Sequence, residues 1–333
     1  MKFIAIVLVL STISAIRGSN PTIYERDFNV TNDCYDLNRA LRGATTVDTK
    51  IIRVLTERTN AQRQVISKEY AAKYNIKLED EIEDKMTGWF KTLLLTLLLE
   101  PAVDDARKIK SEMGFETATE ILITRSPKEI EKIEKIYKKE NNGETLKTAI
   151  SANADASLSK LMLALLKKNR ASPDEEVDAQ KTELAAKKLY EAGKAGGGQV
   201  NEDVYIELFT KLNFDQLKAV ADKYQETYQH LLDEGVIGTF SGFFMEGLLA
   251  TLVMARRNSG YFAELLRRTM RGLGTDEESL IRLLVSRSET DLADIRTEFD
   301  RVNEDSLAQW ITDDTSGSFR DALISILFGN QYD

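Results

Sequence analysis

A glycine-containing turn and a distant carboxylate are the groups in this sequence best suited to hold a metal ion. The turn runs from Met270 to Glu277 and contains Gly272 and Gly274, and Asp314 follows it later in the chain. The two glycines let the backbone turn tightly and direct carbonyl oxygens outward. Carbonyl oxygens together with a carboxylate are the ligands that a hard cation such as Ca²⁺ prefers. The pattern therefore predicts a calcium site.

Helices are expected to position both parts of this site. Thr275 and Glu278 have the spacing of a capping box, which predicts that a helix begins directly after the turn. Asp314 precedes an apolar stripe with helical spacing, so we expect it at the start of a later helix.

Composition indicates an all-α chain and excludes one class of partner. The 333 residues can form one large core or two to four small units, and they include only 4 prolines. The net charge of -9 argues against nucleic acid as a partner. The same charge opposes direct attraction to an anionic membrane unless a cation bridges the two surfaces.

The sequence carries no recognisable catalytic signature, so we predict that the protein is not an enzyme and binds no cofactor other than Ca²⁺. His230 is the only histidine, which excludes histidine-rich metal sites and histidine-pair mechanisms. Cys34 is the only cysteine, so it can form no intramolecular disulfide. We expect a buried thiol there, with an intermolecular bridge as the alternative.

The first residues have the pattern of a secretory signal peptide. Lys2 precedes an apolar run from Phe3 to Ile13, and small residues allow cleavage after Ala15 or Gly18. We therefore predict a signal peptide over 1–18 (or 1–15) and a secreted protein, with an N-terminal strand or anchor helix as the alternative. A glycosylation sequon at Asn29 fits secretion but is a common chance match.

The remainder of the chain contains four copies of one unit. Aligned positions in the four copies are Arg58, Arg125, Leu212 and Arg287, and twelve residues later an aromatic residue stands in every copy: Tyr70, Tyr137, Tyr224 and Phe299. Thirty residues after the first set stand Gly88, Asp155, Gly242 and Gly317. A two-residue insertion in the second copy would place Ser157 at that last position.

Apolar stripes predict an amphipathic helix at the end of the copies. In the first copy the stripe is Phe90, Leu93, Leu94, Leu97 and Leu98, and in the fourth it is Phe319, Ala322, Leu323, Ile326 and Leu327. Lys167 to Gln180, which contains Pro173 and three consecutive acids, is predicted to be a solvated linker between a front pair and a back pair of copies.

The fourth copy, from Met270 to Gly317, resembles an annexin repeat, and Arg58 to Gln64 resembles the matching stretch of a first annexin repeat. The resemblance extends from Asp33 to the C-terminus and is weak in the second and third copies. It implies five short helices per repeat, a slightly curved disc of four repeats, and calcium-dependent binding to anionic phospholipid. The predicted division is a signal peptide 1–18, a tail 19–32, repeats 33–100 and 101–168, a linker 169–177, and repeats 178–256 and 259–333.

The resemblance also implies the calcium ligands. Carbonyl oxygens of Met270, Gly272 and Gly274 would bind the ion, and Asp314 would bind it through both carboxylate oxygens. The 38-residue gap between Thr275 and Asp314 matches the family motif. Water and a lipid phosphate oxygen would complete the shell, so that the ion would bridge the acidic protein to an anionic membrane.

The other three copies depart from the motif. Lys85 and Thr239 stand at the acidic position of the first and third copies, and the second copy has Ala154 or Asp155 nearby. Thr45 replaces the second glycine in the first copy, and a β-branched residue resists positive φ. One remaining site of low ligand charge should bind calcium with a Kd of roughly 10⁻⁴–10⁻³ M, a range suited to extracellular fluid.

Two other functions remain open from the sequence. A secreted helical scaffold could bind an extracellular protein or glycan partner largely without calcium, which would explain the loss of three sites. A cytoplasmic, membrane-associated protein with a fortuitous apolar start is the other alternative.

Overall fold

All regular elements in the described part of the chain are α-helices. The computed structural model describes residues 19–42, 46–111, 116–194, 197, 199–272 and 274–330, and the predicted signal peptide 1–18 lies outside these ranges. Twenty helices occur in the described residues, with no strand among them, which confirms the all-α prediction. Among these helices, none has the length and apolar character needed to cross a membrane.

The helices form four successive groups of five, one for each repeat. The first repeat has α1 (Val30–Leu41), α2 (Asp48–Thr56), α3 (Asn60–Tyr74), α4 (Leu78–Lys85) and α5 (Gly88–Leu98). The second has α6 (Pro101–Ser111), α7 (Glu116–Thr124), α8 (Pro127–Glu140), α9 (Leu146–Asn153) and α10 (Ala156–Leu165). The third has α11 (Ala179–Ala192), α12 (Glu202–Lys211), α13 (Phe214–Tyr228), α14 (Leu232–Thr239) and α15 (Gly242–Arg256). The fourth has α16 (Asn258–Thr269), α17 (Glu277–Ser288), α18 (Leu292–Val302), α19 (Leu307–Asp314) and α20 (Gly317–Phe328).

Local sequence signals account for many of these helix limits. Thr59 and Gln62 form a reciprocal capping box at the start of α3, and Ser126 and Glu129 do the same for α8. The apolar stripes expected in α5 and α20 are buried at all five positions in each helix. Burying a Leu or Phe contributes roughly 1.5–3 kcal/mol per side chain, so these two stripes stabilise the helices that carry them.

The fourth helix has the same length in every repeat, which fixes the register between copies. Each runs for eight residues from a leucine, and the four end at Lys85, Asn153, Thr239 and Asp314. The fifth helix begins three residues later in every repeat, at Gly88, Ala156, Gly242 and Gly317. Ala156, rather than Ser157, therefore occupies the glycine position, and the prediction of a two-residue insertion was wrong.

The insertion in the second repeat is a single residue in the turn before α9. Arg58 lies 30 residues before Gly88, whereas Arg125 lies 31 residues before Ala156. The turns after α3 and α13 each have one left-handed residue, Asn75 and Gln229, but the turn after α8 has two, Asn142 and Gly143. Asparagine and glycine tolerate positive φ, so this turn accepts the extra residue at low cost.

The helices cluster into two compact units. Residues 102–258 form a continuous unit that carries the second and third repeats. Residues 19–101 and 259–330 form a split unit that combines the first and fourth repeats from opposite ends of the chain. The candidate metal centre belongs to the split unit.

A buried ion pair links the first and fourth repeats within the split unit. The Arg63 side chain is 1% exposed, and its guanidinium donates to a Glu289 carboxylate oxygen at 3.0 Å and to the Leu55 carbonyl at 3.1 Å. Burial lowers the pKa of Arg63 to about 10, although the Glu289 charge acts in the opposite direction. Glu289 therefore supplies the charge that Arg63 requires when it is removed from water.

An extended N-terminal strap, residues 20–26, joins the same two repeats. The backbone N–H groups of Thr22 and Ile23 donate to the Ser288 carbonyl at 2.8 and 3.0 Å, and Asn330 N–H donates to the Thr22 carbonyl at 3.1 Å. Gly329 has φ +61°, and a Cβ there would lie 1.8 Å from the Thr22 carbonyl oxygen. Only glycine fits where the strap crosses this turn.

The linker of the continuous unit is docked rather than fully solvated. Arg170 donates to the Leu212 carbonyl at 2.7 Å and stacks over the Phe214 ring, with its guanidinium carbon 4.5 Å from the ring centroid. The Asn213 amide donates to the carbonyls of Ser172 and Glu175 at 2.8 and 2.9 Å. The expectation of a solvated connection was therefore only partly right, because the acidic side chains between these contacts are exposed while the backbone is held.

Candidate metal centre

The loop between α16 and α17 is closed at its base by a backbone hydrogen bond. Asp276 N–H donates to the Thr269 carbonyl at 2.7 Å, which brings the two ends of the loop together. The Met270 side chain is buried beneath the loop and anchors its first residue in the core. Only Leu273 within the loop lies outside the described residues.

Both loop glycines have backbone conformations that other residues rarely adopt. Gly272 has φ +116° and Gly274 has φ +89°. No heavy atom lies within 4 Å of a Cβ built at either position, so the constraint comes from the backbone and not from crowding. These conformations produce the tight, exposed turn that the sequence predicts.

The helix after the loop starts differently from the sequence prediction. Asp276, not Thr275, is the N-cap of α17, and its side chain accepts a hydrogen bond from Ser279 N–H at 3.1 Å. The predicted capping box between Thr275 and Glu278 was wrong because the aspartate lies one residue closer to the helix and provides a carboxylate cap. Thr275 is thereby available for a contact elsewhere.

Asp314 is the last residue of α19, not the first of a later helix, which corrects the sequence expectation. The Thr275 hydroxyl donates to an Asp314 carboxylate oxygen at 3.1 Å and lies 3.4 Å from the Asp314 carbonyl oxygen. The loop and the carboxylate, 39 residues apart, therefore meet at one place on the surface. Sequence reasoning missed this role of Thr275, although the threonine occupies the same position in the first repeat, as Thr46.

Nearby acidic side chains have partners of their own. Asp313 accepts from the Gln309 amide at 2.8 Å on its own helix. Burial disfavours the charged form of Glu264, but hydrogen bonds from Arg267 and Arg268 outweigh it, so the pKa of Glu264 lies below its usual value. Asp314, in contrast, is hydrogen-bonded to the loop through the Thr275 hydroxyl.

The donor set fits a hard divalent cation. It would consist of main-chain carbonyl oxygens of the loop and one exposed carboxylate that is already hydrogen-bonded to the loop, which are oxygen ligands of the kind Ca²⁺ takes. Across the described residues, no group of three or more His, Cys, Asp and Glu side chains is arranged to hold a metal. Main-chain oxygens of Met270, Gly272 and Gly274 would therefore supply most of the protein ligands.

The first repeat closes the corresponding loop in the same way but forms different side-chain contacts. Val47 N–H donates to the Ala40 carbonyl at 3.1 Å, as in the fourth repeat. The Thr46 hydroxyl donates to Asp48 at 2.7 Å and does not cross to the fourth helix of its repeat. Lys85, at the position of Asp314, pairs with Asp84 at 2.8 Å. Residues 43–45, including Thr45, lie outside the described residues.

The second repeat presents an amide at the acidic position. Asn153 ends α9, and its side chain donates to the Ala149 carbonyl at 2.8 Å. Asp155 caps α10 by accepting from Leu158 N–H at 2.9 Å. The expectation that Ala154 or Asp155 corresponds to the acidic position was wrong, because the single-residue insertion moves Asn153 there.

The third repeat uses its fourth helix to hold its own loop. Thr239 ends α14, and its hydroxyl accepts a hydrogen bond from Lys194 N–H at 3.2 Å. Asn201 N–H donates to the Ala192 carbonyl at 2.9 Å, which repeats the closure of the first and fourth repeats. No carboxylate stands at this position, as the sequence predicts.

Within the split unit, Asp314 and Lys85 line one cleft of about 490 Å³. Its wall includes Trp89 from the start of α5 and Ser318 from the start of α20. Ser318 donates to Asp48 at 2.6 Å across the cleft. The two positions that carry opposite charges in the first and fourth repeats thus share one depression.

Comparisons with known proteins show which family the chain resembles in sequence and fold. A family model described as Annexin matches residues 32–97, 184–251 and 261–326. Annexin A3 of Bos taurus is 36% identical over 308 residues, which cover 91% of this chain and 94% of that relative. The structure of annexin III has a TM-score of 0.89 at 35% identity and covers 94% of this chain and 98% of its own. A calcium-bound annexin (Sm)1 has a TM-score of 0.85 at 26% identity, with 95% of both chains covered.

Proposed function

Because the chain belongs to the annexin family, whose members generally bind phospholipid in a calcium-dependent manner, we propose that it binds anionic membranes through one calcium ion held by the fourth repeat. The proposed ligands are the carbonyls of Met270, Gly272 and Gly274 and the carboxylate of Asp314. Annexins are generally non-enzymatic binding proteins, and the proposed role is binding.

The contact between Thr275 and Asp314 is the observation that carries this proposal. It holds the carboxylate at the loop, with its oxygen 3.1 Å from the threonine hydroxyl, and so orients the one charged ligand before a cation arrives. The corresponding contact in the first repeat is directed to Asp48 instead. An exposed hydrogen bond contributes a net free energy of about 1 kcal/mol, enough to bias the rotamer of an exposed side chain.

The charge of the protein explains why a cation is required. The net charge of -9 repels an anionic bilayer, whose attraction is otherwise about 1 kcal/mol for each basic residue near its surface. A calcium ion in the loop supplies positive charge and open coordination positions for a lipid phosphate oxygen. With one such site, binding lacks the avidity that several sites acting together would give.

We further propose that the protein is secreted. The support is the signal-peptide pattern over 1–18, together with a calcium site of low ligand charge. A Kd of roughly 10⁻⁴–10⁻³ M leaves such a site nearly empty in resting cytosol and filled outside the cell. Mass spectrometry of the mature protein should give an N-terminus at Ile16 or Ser19, and retention of Met1 would contradict secretion by this route.

Vesicle sedimentation tests the calcium proposal. The mature protein should pellet with phosphatidylserine vesicles at millimolar calcium and remain soluble in EGTA. Asp314→Ala should abolish the calcium-dependent fraction, whereas Asp313→Ala should retain it because Asp313 is bonded only within its own helix. Equal pelleting in calcium and EGTA, or calcium-dependent pelleting of Asp314→Ala, would contradict the proposal. Failure to pellet in either condition would instead favour the calcium-independent scaffold.

A further inference from the structure

The residue four positions after the last residue of the fourth helix differs between repeats. Its type varies together with that of the residue that ends the helix. It is Trp89 in the first repeat and Phe243 in the third, which are 41% and 43% exposed. In the second and fourth repeats the same position is Ser157 and Ser318. The two repeats that carry neither an acid nor an amide at the end of the fourth helix therefore present a large aromatic ring beside that helix end.

In the first repeat this aromatic ring stands beside a cation. Lys85 ends α4, its side chain is 45% exposed, and it lines the same cleft as Trp89 and Asp314. The hydrogen bond and charge of Asp84 raise the pKa of Lys85, so the ammonium group stays protonated at neutral pH. The Asp84 carboxylate is 70% exposed, and an exposed pair of this kind exchanges readily with other ions.

We infer that the first repeat contacts the membrane without a calcium ion of its own, with the Lys85 ammonium on a glycerophospholipid phosphate and the Trp89 ring at the headgroup level. This inference deepens the proposed function and rests on it, because the calcium site at Asp314 turns this cleft toward the lipid.

The chemistry of the two side chains matches that of a bilayer surface. The lysine occupies the position where a calcium ligand stands in the fourth repeat, so a positive charge is present there without a metal. Tryptophan favours the membrane interface, since its ring is apolar while its indole N–H needs a polar partner. An aromatic ring and a lysine side by side therefore suit one lipid headgroup and the upper acyl chain beneath it.

The cleft also determines which occupant fits. Asp48 accepts hydrogen bonds from Thr46 at 2.7 Å and from Ser318 at 2.6 Å, so both of its carboxylate oxygens have donors other than Lys85. Asp314 would be neutralised by calcium when the protein is membrane-bound. The cleft is also lined by Asp48 and Glu277, so the positive charge that a lipid phosphate could contact is localised at Lys85 and the calcium ion, beside the exposed Trp89 ring.

Fluorescence of Trp89 tests its placement. Trp89 and Trp310 are the only two tryptophans, and Trp310 packs edge-on against Phe299 with ring centroids 5.5 Å apart. In a Trp310→Phe variant, emission comes from Trp89 alone. With phosphatidylserine vesicles and calcium, it should shift to shorter wavelength and be quenched by lipids brominated on the acyl chain. Normal calcium-dependent pelleting with unshifted and unquenched emission would overturn this inference while leaving the proposed function intact.

The charge of Lys85 is tested separately at millimolar calcium, where the proposed site at Asp314 holds the protein on the vesicle. Lys85→Gln should lower the partition coefficient onto phosphatidylserine vesicles roughly fivefold, as expected for one basic residue near an anionic surface. Lys77→Gln is the matched control, since Lys77 is an exposed lysine that precedes the opposite end of α4.

Equal effects of the two lysine substitutions would overturn the role of Lys85, because only nonspecific charge would then be involved. Loss of calcium-dependent pelleting in the unsubstituted protein would instead contradict the proposed function. In that case the Trp89 emission in EGTA still reports whether the first repeat meets lipid. Inorganic phosphate at matched ionic strength should leave the Trp89 emission unchanged, and a shift without vesicles would show that the cleft binds free phosphate and would overturn the lipid assignment.

Discussion

The first and fourth repeats close their first interhelical loop with the same backbone hydrogen bond, yet their fourth helices end on opposite charges. Val47 to Ala40 and Asp276 to Thr269 are equivalent contacts. Lys85 and Asp314, in contrast, give one repeat a cation and the other a carboxylate within one cleft. The loop closure is therefore part of the packing of the repeat and persists without a metal site. The residue at the end of the fourth helix sets which chemistry the loop can perform.

Replacing Asp314 by the lysine that the first repeat has at this position should have the largest effect on calcium binding. Asp314→Lys replaces the only charged ligand of the proposed site with a cation, so calcium affinity should fall by more than roughly 100-fold. The rise in Tm that calcium produces by binding the native state should disappear. Asp313→Lys makes the same charge change one residue away and should keep that rise. A calcium-induced rise of Tm in Asp314→Lys would show that the two repeats differ for another reason.

The ion pair between Arg63 and Glu289, which joins the first and fourth repeats, can be broken without altering either loop. Glu289→Gln leaves Arg63 buried and without a countercharge, so the free energy of unfolding should fall by about 2 kcal/mol, less than for a fully buried pair because Glu289 is partly exposed. Urea titration measures this change. Glu83→Gln removes an exposed pair with Lys91 and should cost less than about 0.5 kcal/mol. Equal costs would indicate that the buried pair does not hold the repeats together.

The second loop glycine can be replaced by the residue of the first repeat. Gly274→Thr forces a β-branched side chain to φ +89°, at a cost of about 1–2 kcal/mol, so calcium affinity should fall roughly tenfold. Gly274→Asn should lose less, because asparagine tolerates left-handed backbone. Calcium titration of vesicle binding gives both values. Equal losses for Thr and Asn would mean that side-chain size, not backbone strain, limits the loop.

Removing the Thr275 hydroxyl should have a smaller effect on calcium affinity. Thr275→Val keeps the shape but removes the hydrogen bond to Asp314, so calcium affinity should fall about fivefold, the equivalent of about 1 kcal/mol. Thr275→Ser retains the hydroxyl and should remain near the original affinity. If Val and Ser behave alike in the same titration, the hydroxyl does not orient the carboxylate.

The reverse exchange in the first repeat should have the smallest effect. Lys85→Asp supplies a carboxylate, but Thr45 still stands where the fourth repeat has glycine, and a β-branched residue opposes the required backbone. The calcium affinity measured without vesicles should change by less than about twofold. A second calcium transition in Lys85→Asp would show that the loop glycine is dispensable.

Sequence periodicity was sufficient to predict the fifth helices of the first and fourth repeats but not the contacts at the candidate site. The buried stripes of α5 and α20 were predicted because an amphipathic helix repeats its apolar face every three to four residues. The cap of α17 was misassigned because Thr275 and Asp276 are both good caps, and only the folded backbone selects between them. The link between Thr275 and Asp314 spans 39 residues, and no local pattern reports a hydrogen bond between two separate turns.

The predicted alignment of the second repeat with the other repeats was wrong for a related reason. Gly88, Gly242 and Gly317 share φ values of +61 to +65°, which makes them good markers. The second repeat has Ala156 there, so the marker was missing, and the extra residue in the turn after α8 was counted as two. Asn153 was consequently missed at the acidic position.

The division of the split unit between the two ends of the chain has a consequence for protein synthesis. Residues 102–258 leave the ribosome as one continuous stretch and can complete their core while translation proceeds. Residues 19–101 wait for partners that are translated after residue 258, including α17, which packs on α5, and Asn330, which pairs with Thr22. We expect a nascent chain that stops before residue 259 to expose the apolar side of α5 and to need chaperone protection. The candidate metal centre would then form only after the fourth repeat has been translated.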